Sequence, residues 1–214
     1  MTEHNLFQEI QEDLERQRYE ALWQRYGIWV IAAALVAVIG TAGTNAYQAW
    51  QSGHNEKVTS GYIDAAKPGK DTAESIAKLE SFAASQSGAT QADFALLRAG
   101  ALAAQKDDAT TAVKLFDQVA SDTRADSAFR QLGDLLSVRM QMDKGDAATL
   151  IARLQPLTAP DAPWRYSALE DQGYLALRVG DTAKARGVFT TISQDSAAPS
   201  AIQARSTDIL RSLN

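Results

Sequence analysis

Residues 167–192 read SALEDQGYLALRVGDTAKARGVFTTI, and the same plan occurs earlier, where residues 94–119 read FALLRAGALAAQKDDATTAVKLFDQV. In both, apolar residues recur every three or four positions up to a break, Gly180-Asp181 in one and Asp107-Asp108 in the other, and then recur again. That spacing gathers them on one helix face, so each stretch predicts two helices joined by a tight turn. Four helices open in the same way, on Asp71-Thr-Ala, Asp108-Ala-Thr, Asp146-Ala-Ala and Asp181-Thr-Ala, at intervals of 37, 38 and 35 residues. An Asp at this point accepts a backbone N–H with its carboxylate and meets the positive end of the helix dipole. Four residues on from each stand Ser75, Ala112, Leu150 and Ala185; eight on, Leu79, Phe116, Leu154 and Phe189; eleven on, Phe82, Val119, Leu157 and Ile192. Offsets of four, eight and eleven trace a single face, which predicts four helices buried along it.

A partner helix precedes most of these. Leu96, Ala99, Gly100 and Ala103 form one stripe, Phe129, Leu132, Gly133 and Leu136 a second, and Leu169, Gln172, Gly173 and Ala176 a third with a polar lapse at Gln172. Glycine inside a helix costs about 1 kcal/mol against alanine. Three at one repeat position therefore predict close helix approach, not a phosphate loop. A glycine with an alanine and an aromatic at set distances behind it resembles the tetratricopeptide repeat, whose period is about 34 residues. Gly173, Gly180, Ala185 and Phe189 match directly; Gly100, Ala112 and Phe116 match again, with Asp107 in place of the turn glycine. The middle unit departs, its first helix ending around residues 140–142. The leading helix of the first unit, around residues 54–66, matches weakly and is expected to continue from the segment before it. Residues 201–213 read as a lone capping helix over the apolar face of the last repeat.

The fold class is thus all-α, a solenoid of about four helical hairpins. In tetratricopeptide-like stacks the first helix of each pair lines a concave surface that takes peptides. By this register the positions facing it are Phe94 and Leu97, Arg130 and Asp134, and Glu170 and Tyr174. Apolar anchors mixed with a few charges suit a surface that holds polypeptide without reading one sequence.

Ahead of the repeats, residues 26–55 carry no Asp, Glu, Lys or Arg, and 27–50 read GIWVIAAALVAVIGTAGTNAYQAW. A helix crossing a bilayer needs about 20 mostly apolar residues. Trp23, Tyr26 and Trp29 at one end, with Tyr47 and Trp50 at the other, are placed like interfacial anchors. A cleaved leader is short and basic, whereas six acidic and three basic residues precede this run. The expected organisation is a tail at 1–26, a transmembrane helix at 27–50 and a repeat domain at 51–214. Arg16, Arg18 and Arg25 precede the span and Lys57 follows it, which predicts a cytoplasmic N-terminus and a repeat domain outside the cytoplasm. Ala33, Ala37, Gly40 and Thr44 lie near one face of the span, where small residues let another helix approach. In the tail, Phe7, Ile10, Leu14 and Ala21 or Leu22 recur at helical spacing, predicting an amphipathic helix.

Composition narrows the chemistry. The chain has no cysteine, and its two histidines, His4 and His54, fall on opposite sides of the span. A His or Cys metal centre, a disulfide framework and a thiol nucleophile are not expected. There is no GxxxxGK[ST], GxGxxG or GxSxG motif, so neither a cofactor nor an enzyme activity is expected. From residue 51 onward 18 basic residues face 20 acidic ones without a run of five like charges, which gives nucleic acid no basic stripe to bind. The adjacent carboxylates Asp107-Asp108 and Glu170-Asp171 point to different helix faces and read as caps and solvated charges.

The tail ERQRYEALWQRYG at 15–27, the span directly after it and the alanine-rich repeats resemble, over the full length, the YfgM-like ancillary subunits of the SecYEG translocon. The resemblance implies a bacterial inner-membrane protein with a periplasmic repeat domain and no catalytic residues. Its implied partners are Sec translocon subunits, a PpiD-like membrane-bound periplasmic chaperone, exported polypeptides and the lipid bilayer. The repeats by themselves also suit a cell-envelope assembly or cytochrome-maturation scaffold, and only the junction of tail and span separates the two.

Overall fold

The computed structural model describes residues 55–213, which are helical with no strand among them. The tail and the apolar run, with Ala33, Ala37, Gly40 and Thr44, lie outside the described residues. Among the described residues no helix is long and apolar enough to cross a membrane. Helix α1 covers residues 55–65. It is followed by α2 (Thr72–Ser85), α3 (Thr90–Ala104), α4 (Ala109–Ser121), α5 (Ser127–Gln141), α6 (Ala147–Leu154), α7 (Arg165–Arg178), α8 (Thr182–Gln194) and α9 (Ser200–Ser212). Four hairpins, α1–α2, α3–α4, α5–α6 and α7–α8, stack in chain order, and α9 packs on α8 and α7 as the closing helix. Helices touch mainly those next to them in sequence, with α3 on α5 and α5 on α7 joining the first helices of successive pairs and α7 on α9 joining the last pair to the closing helix. That is the nearest-neighbour packing of a solenoid.

Each repeated aspartate caps a helix. Asp71 accepts from the Glu74 N–H at 2.8 Å, Asp108 from Thr111 at 3.0 Å, Asp146 from Thr149 at 2.8 Å and Asp181 from Lys184 at 3.0 Å. Asp126 caps α5 in a related way through the Ala128 N–H. At the break between the two helices of a pair, Gly180 has φ +78°, and Asp107 takes the same left-handed conformation at φ 58°. Asp is one of the few side chains tolerated there.

The predicted faces are the core. Leu79, Ala112, Phe116, Val119, Leu150, Leu154, Leu157, Ala185, Phe189 and Ile192 are all buried. Leu157 reaches it differently from the other three residues at its offset. Helix α6 ends at Leu154 and continues as a 3-10 turn at Gln155–Thr158, because Pro156 has no N–H to extend the α-helical ladder. Phe82 is half-buried, covered by the ring of Tyr62 at 6.0 Å.

The stripe glycines are where helices close up. A Cβ on Gly100 would stand 2.5 Å from Cε1 of Phe116, and one on Gly173 would stand 2.6 Å from Cζ of Phe189. Each glycine makes the slot for the ring of its own hairpin. Gly133 serves a different approach, since a Cβ there would lie 2.7 Å from the Phe116 carbonyl oxygen of the preceding hairpin.

Candidate protein-binding surface

The first helices of the pairs carry an aromatic side chain at matching positions. Tyr62 on α1, Phe94 on α3 and Phe129 on α5 lie in one row, with ring centroids 6.4 Å apart for Tyr62 and Phe94 and 5.0 Å apart for Phe94 and Phe129. The second pair meets edge to face, an arrangement worth about 0.5–1.5 kcal/mol beyond the area it buries. The row extends toward the next repeat at Trp164, whose indole N–H donates to the Ala128 carbonyl at 2.8 Å. It is not sealed. Phe94 is 42% exposed and Ile63, beside Tyr62 in sequence, is 55% exposed.

Of the six residues expected on the concave face, Phe94 lies in this row. Arg130 follows Phe129 on α5, half-buried, and its Nε–H is itself buried with no hydrogen-bond acceptor among the described residues. Leu97 instead turns inward, against the Ala103, Ala112 and Phe116 cluster that also takes Leu136 and Met140. Asp134 is engaged by Arg153 of α6 at 2.7 Å, and the same guanidinium reaches Asp117 of α4 at 2.8 Å. Tyr174 is half-buried, its ring edge-on to Phe189 at 5.5 Å, and burial raises its hydroxyl above the usual tyrosine range.

Glu170 is buried rather than open, and with it Asp171, against the expectation of solvated charges. Both oxygens of Glu170 accept from Arg205 of α9, at 2.7 and 2.8 Å. Asp171 accepts from Nε of Arg139 on α5 at 2.8 Å. Burial raises the Asp171 carboxyl above its ordinary value, and the Arg139 guanidinium opposes that rise. The two acids do face different sides of α7, as their adjacency requires, but each side is covered by a neighbouring element carrying an arginine. The polar lapse at Gln172 is resolved in the same way, its amide donating to the Ile151 carbonyl and to Gln155 at 3.4 Å each.

Tyr62, not singled out in the sequence, and Phe129, read there as part of a packing stripe, are the members of the row that sequence reasoning missed. Their spacing from Phe94, 32 and 35 residues, is one repeat in each direction and is the signal that marks them. The row offers apolar and aromatic contact on a rigid scaffold. Among the described residues no three His, Cys, Asp or Glu side chains converge to hold a metal ion.

The family model described as a tetratricopeptide repeat-like domain matches residues 20–209, from within the tail to the closing helix. No curated protein and no solved structure matches the chain. With the hairpin stack, the capped second helices and the glycine–aromatic slots, that match shows that the chain belongs to the tetratricopeptide repeat-like domain family.

Proposed function

We propose that the protein is a non-catalytic, membrane-tethered interaction scaffold that assists protein export. In this reading 27–50 spans the bacterial inner membrane, the tail is cytoplasmic and the repeat domain is periplasmic. The partners are Sec translocon subunits, a PpiD-like chaperone and exported polypeptides, and Ala33, Ala37, Gly40 and Thr44 form the face that meets another span. The observation that carries the interaction role is the part-exposed row of Tyr62, Phe94 and Phe129, held in register across three successive repeats. Aromatic side chains supply large contact area at low conformational cost, which is why they are enriched where proteins bind one another. The export role rests on the resemblance of the tail-and-span junction.

The test is site-specific photo-crosslinking in cells during protein export. A crosslinker replacing Phe94 should capture translocon subunits or exported chains, and one replacing Val179, 58% exposed and off the row, should not. Equal capture from both positions removes the row as the binding surface. Capture of envelope-assembly factors alone would favour the assembly-scaffold reading over export.

A further inference from the structure

A cleft of 390 Å³ opens between the end of α2, the start of α3 and the end of α4. Consecutive residues on a helix point about 100° apart, so Asp93, which lines this cleft, opens on a different face of α3 from Phe94 of the aromatic row. Ala83, Ala84, Ala92 and Leu96 supply an apolar lining, and Glu80, Asp93, Asp122 and Arg124 the charged one. Asp93 is the unusual member. It is only 6% exposed, yet among the described residues its carboxylate has neither a hydrogen bond nor a contact ion pair, and the Arg124 guanidinium acts on it only through space. Buried carboxylates are ordinarily paired, because an unmet charge away from water is costly.

The neighbouring charges are already committed. Arg124 holds Asp122 through Nε at 2.9 Å and Nη2 at 2.8 Å, and its stem lies 3.7 Å from where a Gly88 Cβ would be. Glu80 is paired with Lys114 at 3.3 Å. What is left is one inward carboxylate, a surplus of negative charge and an apolar lining beside it. No three ligands converge for a metal ion among the described residues. The apolar lining of Ala83, Ala84, Ala92 and Leu96 beside that carboxylate suits an aliphatic stem that ends in a cation.

We propose that this cleft binds an alkylammonium group, the methylenes lying along Ala83, Ala92 and Leu96 and the ammonium donating to Asp93. Two sources share that chemistry, a lysine side chain on a polypeptide and a free polyamine. The site is separate from the aromatic row and stands whether or not the row binds export partners.

The test is calorimetric titration of the full chain in detergent micelles. Three probes are compared: a capped Ala-Ala-Lys-Ala-Ala peptide, its norleucine counterpart and 1,5-diaminopentane. The pH is held at about 8, because burial and the nearby Asp122 raise the Asp93 carboxyl above its ordinary value. The lysine peptide or the diamine should bind at least about tenfold more tightly than the norleucine peptide, and Asp93→Asn should abolish that difference. Binding of the peptide alone assigns the site to polypeptide lysines, and binding of both assigns it to the ammonium group at large. If neither amine outbinds norleucine, or if Asp93→Asn binds the amines as wild type does, the proposal is overturned. The comparison of lysine with norleucine is made on the wild-type chain and holds even if the variant folds poorly.

Discussion

Gly173→Ala puts the glycine slot to a test of sign, and the same hairpin contains its control. A Cβ at Gly173 would lie 2.6 Å from Cζ, 2.9 Å from Cε2 and 3.0 Å from Cε1 of Phe189. The ring is fully buried and sits edge-on against Tyr174, so it has no open side to move into. Alanine is the better helix former by about 1 kcal/mol. Against that stands overpacking, about 1–3 kcal/mol, and a contact nearly an ångström inside the carbon–carbon optimum of about 3.5–4.0 Å belongs at the upper end. The net expectation is a loss of about 2 kcal/mol. At Gly187, on α8, a Cβ would meet nothing within 4 Å, so Gly187→Ala should stabilise by about 1 kcal/mol on propensity alone. Urea unfolding followed by helical circular dichroism on residues 55–214 measures both. If Gly173→Ala gains stability as Gly187→Ala does, α7 and α8 are not in close contact there and the slot is wrong. A double-mutant cycle adds specificity: Phe189→Leu should cost less in the Gly173→Ala background than in wild type, by about 1 kcal/mol or more.

Residues 55–214 should fold without the preceding segment, giving a helical spectrum and a cooperative transition; substantial sheet signal would refute the solenoid. Arg139→Met strands the buried Asp171 carboxylate and should cost about 1–3 kcal/mol near neutral pH, below the cost for a fully buried pair because Arg139 is partly exposed. Since the folded pKa of Asp171 lies above its unfolded value of 3.8, its charge opposes folding at higher pH and ceases to once it is protonated. The Arg139→Met penalty should therefore shrink as pH falls through the raised pKa, and a penalty independent of pH would contradict the pairing. The caps have the opposite sign: hydrogen bonds from Thr111 and Thr149 hold Asp108 and Asp146 below 3.8, so their stabilisation is present above that pH and lost as pH falls through the folded values. Melting temperature against pH should accordingly fall less steeply in acid for an Asp108→Ala, Asp146→Ala double variant than for wild type.

How far the fold could be read from the residues depended on how local each cause was. A cap needs only an Asp and the N–H three residues on, so all four repeated caps were legible, as was the glycine–aromatic slot, which closes within one hairpin. Glu170 and Asp171 were misread because their partners, Arg205 and Arg139, are 35 and 32 residues away, and helical period alone does not say which face a neighbouring element will cover. Leu157 kept its burial but lost its helix to a proline one residue ahead. On the candidate surface the register found Phe94, yet it took Leu97 for an outward residue, because periodicity does not distinguish the side facing solvent from the side facing the next hairpin's Leu136 and Met140.

The contrast between the two halves of the stack says where adhesion is available. In α5 and α7, Asp134, Glu170 and Asp171 are tied to Arg153, Arg205 and Arg139, so an incoming partner would have to break charge pairs to use them. In α1, α3 and the first turn of α5 the contacts are between rings, and Phe94 and Ile63 keep open surface that loses only water when covered. Under the proposed role, partner binding would favour the first three hairpins, those that follow the apolar run most closely in the chain.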